Sequence, residues 1–229
     1  MSAPCVFVVG TDTDVGKTSV VCALLSTARA QGRRVLPYKP AQSRSPGHAS
    51  DADRLLAAAA IEGLHRDHIV GFDAPLPIAP GMVDDAASFL DTPRVDATPI
   101  ARARAQLDRA IVLTTPELVI VEGAGGLWVP MPGGTWQPQW IRELATHVVI
   151  VARAGLGTIN HTLCTIDALR TLDLPPIGFY TSQTEAPDLT APTNARVIEK
   201  ARDIPHLGTL PFARAAEDDL LAPLLARLD

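Results

Sequence analysis

Residues Gly10 to Ser19 read GTDTDVGKTS, and what flanks this stretch decides the fold. Before it stands an apolar run, Val6-Phe7-Val8-Val9, which fits a strand buried on both faces. After it Val20, Val21, Leu24, Leu25 and Ala28 recur at helical spacing. Gly10 and Gly16-Lys17-Thr18 resemble the phosphate-loop pattern of a glycine, a spacer and Gly-Lys-Thr. The spacer, Thr11 to Val15, is one residue longer than the usual four. Glycines let backbone N–H groups close around phosphate oxygens, and the helix N-terminus adds a favourable partial charge. Lys17 can reach the terminal phosphates, and the Thr18 hydroxyl is placed to ligate magnesium. The segment Asp14, Val15, Gly16, Lys17, Thr18 and Ser19 is therefore read as nucleotide-binding. An ordinary glycine-rich β–α turn is the alternative; the strand and amphipathic helix on either side argue against it.

A second motif supports the first. Leu118-Val119-Ile120-Val121 is an apolar strand that ends in Glu122-Gly123-Ala124-Gly125-Gly126. An acid at the carboxyl edge of a sheet, opposite a phosphate loop, binds magnesium directly or through water. The glycines let backbone approach a ligand, although a strand and a glycine turn need no function. Arg34-Val35-Leu36-Pro37-Tyr38 reads as another strand, ending at Lys39-Pro40-Ala41-Gln42-Ser43. A lysine just beyond a strand end sits where open α/β sheets bind ligands, while an isolated Lys-Pro is more often a solvated loop. Ser50 and Asp51 suit the N-cap of a helix running through Leu55 and Ala59.

The composition narrows the function classes. A chain of 229 residues, 47% hydrophobic with a net charge of −5, can bury the core of one α/β domain and has no basic run for nucleic acid. Met1-Ser2-Ala3-Pro4 leads directly into the first strand, and no apolar stretch approaches a membrane span. Cys5, Cys22 and Cys164 are widely separated, which predicts buried reduced thiols in a cytoplasmic protein.

Residues 66–97 are the least regular part, because the prolines of Asp73 to Pro80 exclude a helix interior or a central strand. Ser45 to Ser50 is turn-rich, Pro99 to Ala110 reads as a helix with solvated arginines, and Trp136 to Leu144 as another with packed tryptophans. His147 to Val151 is a strand leading into Gly155-Leu156-Gly157-Thr158-Ile159-Asn160-His161, a glycine turn that opens a helix. Pro176 to Tyr180 and Leu207 to Pro211 are further strands, and Glu217 to Leu228 a closing helix that Pro223 should kink or restart. Strands alternating with helices predict a mostly parallel sheet covered on both faces, a phosphate-loop architecture in a single domain over residues 1–229. Lys17, Lys39, Glu122 and Asn160 all follow strands, so one edge of that sheet should gather them.

The same residues carry a resemblance to the dethiobiotin synthetases. GTDTDVGKT matches their loop G-T-D-T-x-V-G-K-T, which accounts for the longer spacer. Lys39 to Ser43 matches K-P-x-x-[ST]-G as far as Ser43, and Arg44 in place of the glycine leaves the path of the following loop open. V-E-G-A-G-G followed by Val129-Pro130 and the L-G-x-x-N-H segment continue the match over most of the chain. The resemblance implies an ATP-dependent cyclo-ligase that carboxylates 7,8-diaminononanoate with carbon dioxide and closes the ring of dethiobiotin in biotin biosynthesis. It implies catalytic roles for Lys17 and Lys39, and magnesium on Thr18, Asp51 and Glu122. Thr13 and Ser43 would position the diamine, and Asn160, with weaker support for His161, its carboxylate. Glu122, Gly123, Ala124 and Gly125 would border the nucleotide. Ser182 and Pro211 would lie at the base, with Ser182 where the family has an adenine-reading Asn. It also implies a homodimer. Two rivals stand beside it. A related amide synthetase would normally carry a glutaminase domain, and a partitioning or switch ATPase would carry a second loop lysine where Thr11 and Asp12 stand.

Overall fold

The main strands form where runs of apolar residues alternate between two buried faces, and in a computed structural model of the chain they assemble into one parallel sheet, apart from a short antiparallel pair. The structure describes residues 3–44, 47, 49–83, 86–184, 190–212 and 219–228. In chain order these contain β1 (Cys5–Gly10), α1 (Lys17–Ala30), β2 (Val35–Ser43), α2 (Asp51–Ala59), α3 (Arg66–Ile69), β3 (Val70–Ala74) and α4 (Ala86–Leu90). Then come α5 (Thr98–Thr114), β4 (Leu118–Gly126), the short pair β5 (Pro130–Met131) and β6 (Thr135–Trp136), and α6 (Gln137–Leu144). The chain closes with β7 (His147–Arg153), α7 (Thr158–Thr171), β8 (Pro176–Ser182), α8 (Ala191–Arg202), β9 (His206–Leu210) and α9 (Leu221–Leu225). The sheet order is β3-β2-β4-β1-β7-β8-β9, and its neighbouring strands are parallel.

Alternation sorts the core into two layers. Phe7, Val9, Tyr38, Val119 and Val121 face the side covered by α5, α6, α7 and α8. Val6, Val8, Leu118 and Ile120 face α1 and α9 with Leu24, Leu25 and Leu221. Both faces are thus dry, as parallel strands require. The phosphate-loop segment leaves the middle of the sheet between β1 and α1, and the other strand ends converge on it.

Several expectations need correction. Lys39 does not follow β2 but lies within it. Val35 to Tyr38 pair with β4, and from Lys39 onward the strand pairs with β3 instead. The segment read as a loop end is a strand changing partners. Residues 66–97 hold α3 and the edge strand β3, which their half-buried, glycine-containing sequence did not announce. Pro223 neither kinks nor restarts a helix. It is the third residue of the short α9, in the first turn, where a missing N–H costs no intrahelical bond. Glu217 lies outside the described residues, as do Ser45, Pro46 and His48 of the turn-rich loop. Cys5 is buried and Cys22 half-buried, but Cys164 is exposed because it points away from the core side of α7. Among the described residues no helix is long and apolar enough to cross a membrane.

Candidate active site

Gly16 opens the site. Its φ of +91° is a left-handed conformation suited to glycine, and it leaves the first N–H groups of α1 at the sheet edge. A Cβ built on Gly16 would lie 2.3 Å from the Ser182 Oγ, so the loop is bedded on the end of β8. Lys17 Nζ donates to the Asp12 carbonyl at 2.8 Å. Burial, with the like charge of Lys39 added, pulls the Lys17 ammonium down to about 8.

The centre is a charge cluster carried on β2, β4 and the start of α2. Lys39 is 1% exposed, and its Nζ reaches Glu122 Oε1 at 2.7 Å, Asp51 Oδ2 at 2.7 Å and the Gly123 carbonyl at 3.1 Å. Burial disfavours the ammonium, but the Glu122 and Asp51 carboxylates outweigh it and hold Lys39 above its ordinary value. Burial likewise raises the Asp51 carboxyl, and the charge and hydrogen bond of Lys39, with the Thr18 hydroxyl, more than reverse this and leave it lowered. The Thr18 hydroxyl lies 3.0 Å from Asp51 Oδ1 and 2.7 Å from Glu122 Oε1, and its one proton serves one of them at a time. Asp51 arrives here because Ser50 caps α2 in a reciprocal capping box with Asp53.

These groups line a cleft of about 750 Å³. The predicted Thr13, Asp14, Gly16 and Ser19 border it from the phosphate-loop segment, and Ser43 from the last residue of β2. Ala124 and Gly125 border it at the end of β4, and Ser182 and Pro211 at the ends of β8 and β9. Three predicted residues stand apart. The Val15 side chain is buried in the core with α1. Gly123 packs against Phe7 and Gln137 and meets the site through its carbonyl. Asn160 is exposed on the first turn of α7, as is His161, and neither lines this cleft. A second cleft of about 370 Å³ lies between the loop residues Thr11 to Thr13, Gly126 to Val129 and α7.

Sequence reasoning missed the groups that brace the site. Gln137 is fully buried, accepts from Ala124 N at 2.8 Å and donates to the Gly126 carbonyl at 2.8 Å, so one amide clamps the glycine turn after β4. Gln42 accepts from Ala52 N at 3.2 Å and donates to Asp73 at 3.2 Å, tying β2 to the start of α2. Arg44, where the resembling pattern has glycine, pairs with Asp73, which Arg66 also holds. A polar residue placed where it should be apolar, as in Gln137, was the only available signal.

A family model described as an AAA domain matches residues 5–218. An ATP-dependent dethiobiotin synthetase BioD of Anaeromyxobacter dehalogenans (strain 2CP-C) is 38% identical over 209 residues, covering 90% of this chain and 89% of that protein. The chain belongs to the dethiobiotin synthetase family. A dethiobiotin synthetase of Nitrosospira multiformis is similar as well, 33% identical over 219 residues, covering 96% of this chain and 93% of that one. The resemblance read from the sequence is borne out, and with it an ATP-dependent ligase. Among solved structures, chloroplast FtsY from Physcomitrella patens matches 100% of this chain with a TM-score of 0.57 at 15% identity; this chain spans 65% of it. Signal recognition particle 54 kDa protein from Aeropyrum pernix K1, in complex with GDP, matches with a TM-score of 0.56 at 14% identity. Those likenesses show the phosphate-loop α/β fold alone.

Proposed function

We propose that this chain, as one α/β unit, closes the ring of dethiobiotin in biotin biosynthesis, consuming ATP, carbon dioxide and 7,8-diaminononanoate. Family membership supports the activity itself. The convergence of Lys39, Asp51, Glu122 and the Thr18 hydroxyl beside the phosphate loop is the observation that carries the mechanism. In it, one amine of the diamine takes up carbon dioxide and loses a proton, giving a carbamate. A carbamate oxygen attacks the γ-phosphorus, and the bond to ADP breaks. The second amine then attacks the carbonyl carbon of the mixed anhydride, loses its proton and expels phosphate, which leaves the cyclic urea. Lys17 and Lys39 hold positive charge where the phosphoryl oxygens gather negative charge, so they stabilise the transition state more than the ground state. Thr13 and Ser43, which both line the cleft, would position the diamine.

The residues fit a magnesium ion. Thr18, Asp51 and Glu122 offer the hard oxygen donors it takes, and Glu122 Oε2 is buried without a hydrogen-bond partner among the described residues. No cluster of three His, Cys, Asp or Glu side chains that could hold a metal forms among the described residues. Two carboxylates, a hydroxyl and nucleotide phosphates are the set magnesium commonly uses. When bound it would supply charge neutralisation at the phosphates. Asn160, exposed at the start of α7, is proposed to meet the substrate's carboxylate in a homodimer, in the cytoplasm. The test is phosphate release with bicarbonate, with and without the diamine. Release that requires both supports the ligase, and release indifferent to the diamine would return the chain to the switch ATPases.

A further inference from the structure

Helix α2 carries two charged side chains toward the nucleotide cleft, three residues apart and so on one face. Asp51 reaches the Thr18 hydroxyl and Lys39. Arg54 reaches the next residue along the loop, its Nη2 donating to Ser19 Oγ at 3.0 Å, and it lines the cleft with Gly16, Lys17 and Thr18. The carboxylates nearest to it in sequence are engaged elsewhere, Asp51 with Lys39 and Asp53 with Arg66. The two buried lysines are also committed, Lys17 to the Asp12 carbonyl and Lys39 between two carboxylates. Among the described residues the Arg54 guanidinium is thus hydrogen-bonded to a neutral hydroxyl, with the Asp51 charge acting on it through space, and Ser19 takes one of its five N–H donors.

We infer that Arg54 is a further nucleotide-binding residue, which grips a phosphate of the nucleotide that is not transferred. The position follows from the loop. Lys17, Lys39 and the carboxylate pair mark the end where the γ-phosphate reacts. Ser19 lies in the first turn of α1, whose free N–H groups face the phosphates nearer the nucleoside. A guanidinium fixed on that hydroxyl presents its planar fork to two phosphate oxygens, geometry that a lysine cannot reproduce. The assignment rests on the nucleotide occupying this cleft, as proposed above.

Titration calorimetry with ADP on the purified protein tests it, comparing the wild type with Arg54→Ala and Arg54→Lys. Arg54→Ala should weaken ADP about tenfold, the low end for a charge-assisted hydrogen bond on an open site. The KM for ATP should rise by a similar factor, while kcat and the KM for the diamine hold. Arg54→Lys should recover only part of the affinity. If ADP binds both variants as tightly as the wild type, Arg54 is not a phosphate ligand. It is equally ruled out if the ADP loss comes with a lower melting temperature and a raised KM for the diamine, because Arg54 is then a strut between α1 and α2. A wild type that fails to bind ADP overturns the nucleotide site itself, and this assignment with it.

Discussion

Lys39→Met tests the charge cluster most directly. The side chain is nearly isosteric, so the substitution removes the ammonium and little else. In the wild type that ammonium stands between Glu122, which is fully buried, and Asp51, whose side chain is 37% exposed. Water can partly replace Lys39 at Asp51, but not at Glu122. Leaving one member of a buried ion pair unpaired costs about 3–5 kcal/mol, and the low end applies because the Thr18 hydroxyl still reaches the Glu122 carboxylate. For a chain of this size about 3 kcal/mol lowers the melting temperature by roughly 6–12 °C. Magnesium should restore much of that loss, since it would meet the same carboxylates. The assay is calorimetric melting of both proteins with chelator and with millimolar magnesium, beside steady-state turnover. The expected result is a large magnesium-dependent rise for the variant, a small one for the wild type, and turnover lower by about 10²-fold or more in either condition. A variant that melts with the wild type in chelator, and gains no more from magnesium, would refute the ion-pair account. Normal turnover would remove Lys39 from the chemistry.

Three further outcomes are expected. Glu122→Gln should raise the magnesium concentration for half-maximal activity by about tenfold, since a hard cation prefers the charged oxygen; an unchanged titration would leave Asp51 as the sole acidic ligand. Lys17, held at about 8 in the free site, should be drawn back to its charged form by bound phosphate, so ADP affinity falls as pH rises through about 8, with proton uptake visible in buffers of different ionisation enthalpy. A pH-independent affinity between 7 and about 9 would contradict this. Base choice should be relaxed, because Ser182 carries no amide and the Gln183 amide is already tethered through Oε1, which accepts from Phe212 N at 3.2 Å. A kcat/KM for ATP beyond about 100-fold over every other triphosphate would show that adenine is read after all.

β1 and β4 were legible because Val6 to Val9 and Leu118 to Val121 are apolar runs leading into glycine-rich turns, and the phosphate loop because its glycines and Lys17-Thr18 follow the first of them. No other element type buries both faces over so few residues. The end of β2 was not legible. Lys39-Pro40-Ala41-Gln42-Ser43 has a loop's composition, and it persists as strand because its polar side chains find partners in the site rather than in solvent. Edge strand β3 was hidden for the opposite reason, since Val70, Phe72 and Asp73 are only half-buried and leave no clear alternation. Lys17, Lys39, Asp51 and Glu122 could be named in advance as residues of one cleft. Their mutual pairing could not, because it depends on β2 parting from β4 at Lys39. Gln137 offered only its polarity at a buried position, and Arg54 had no pattern to betray it.

The bedding of Gly16 on Ser182 also bears on how this enzyme can change over generations. The phosphate-loop turn and the end of β8 share one wall, so position 182 answers to the turn as well as to whatever the cleft binds. At 16 any Cβ would collide with Ser182, so a change at 16 calls for a change at 182. Gln183 and Phe212 border the same cleft and offer a second route by which nucleotide preference can drift.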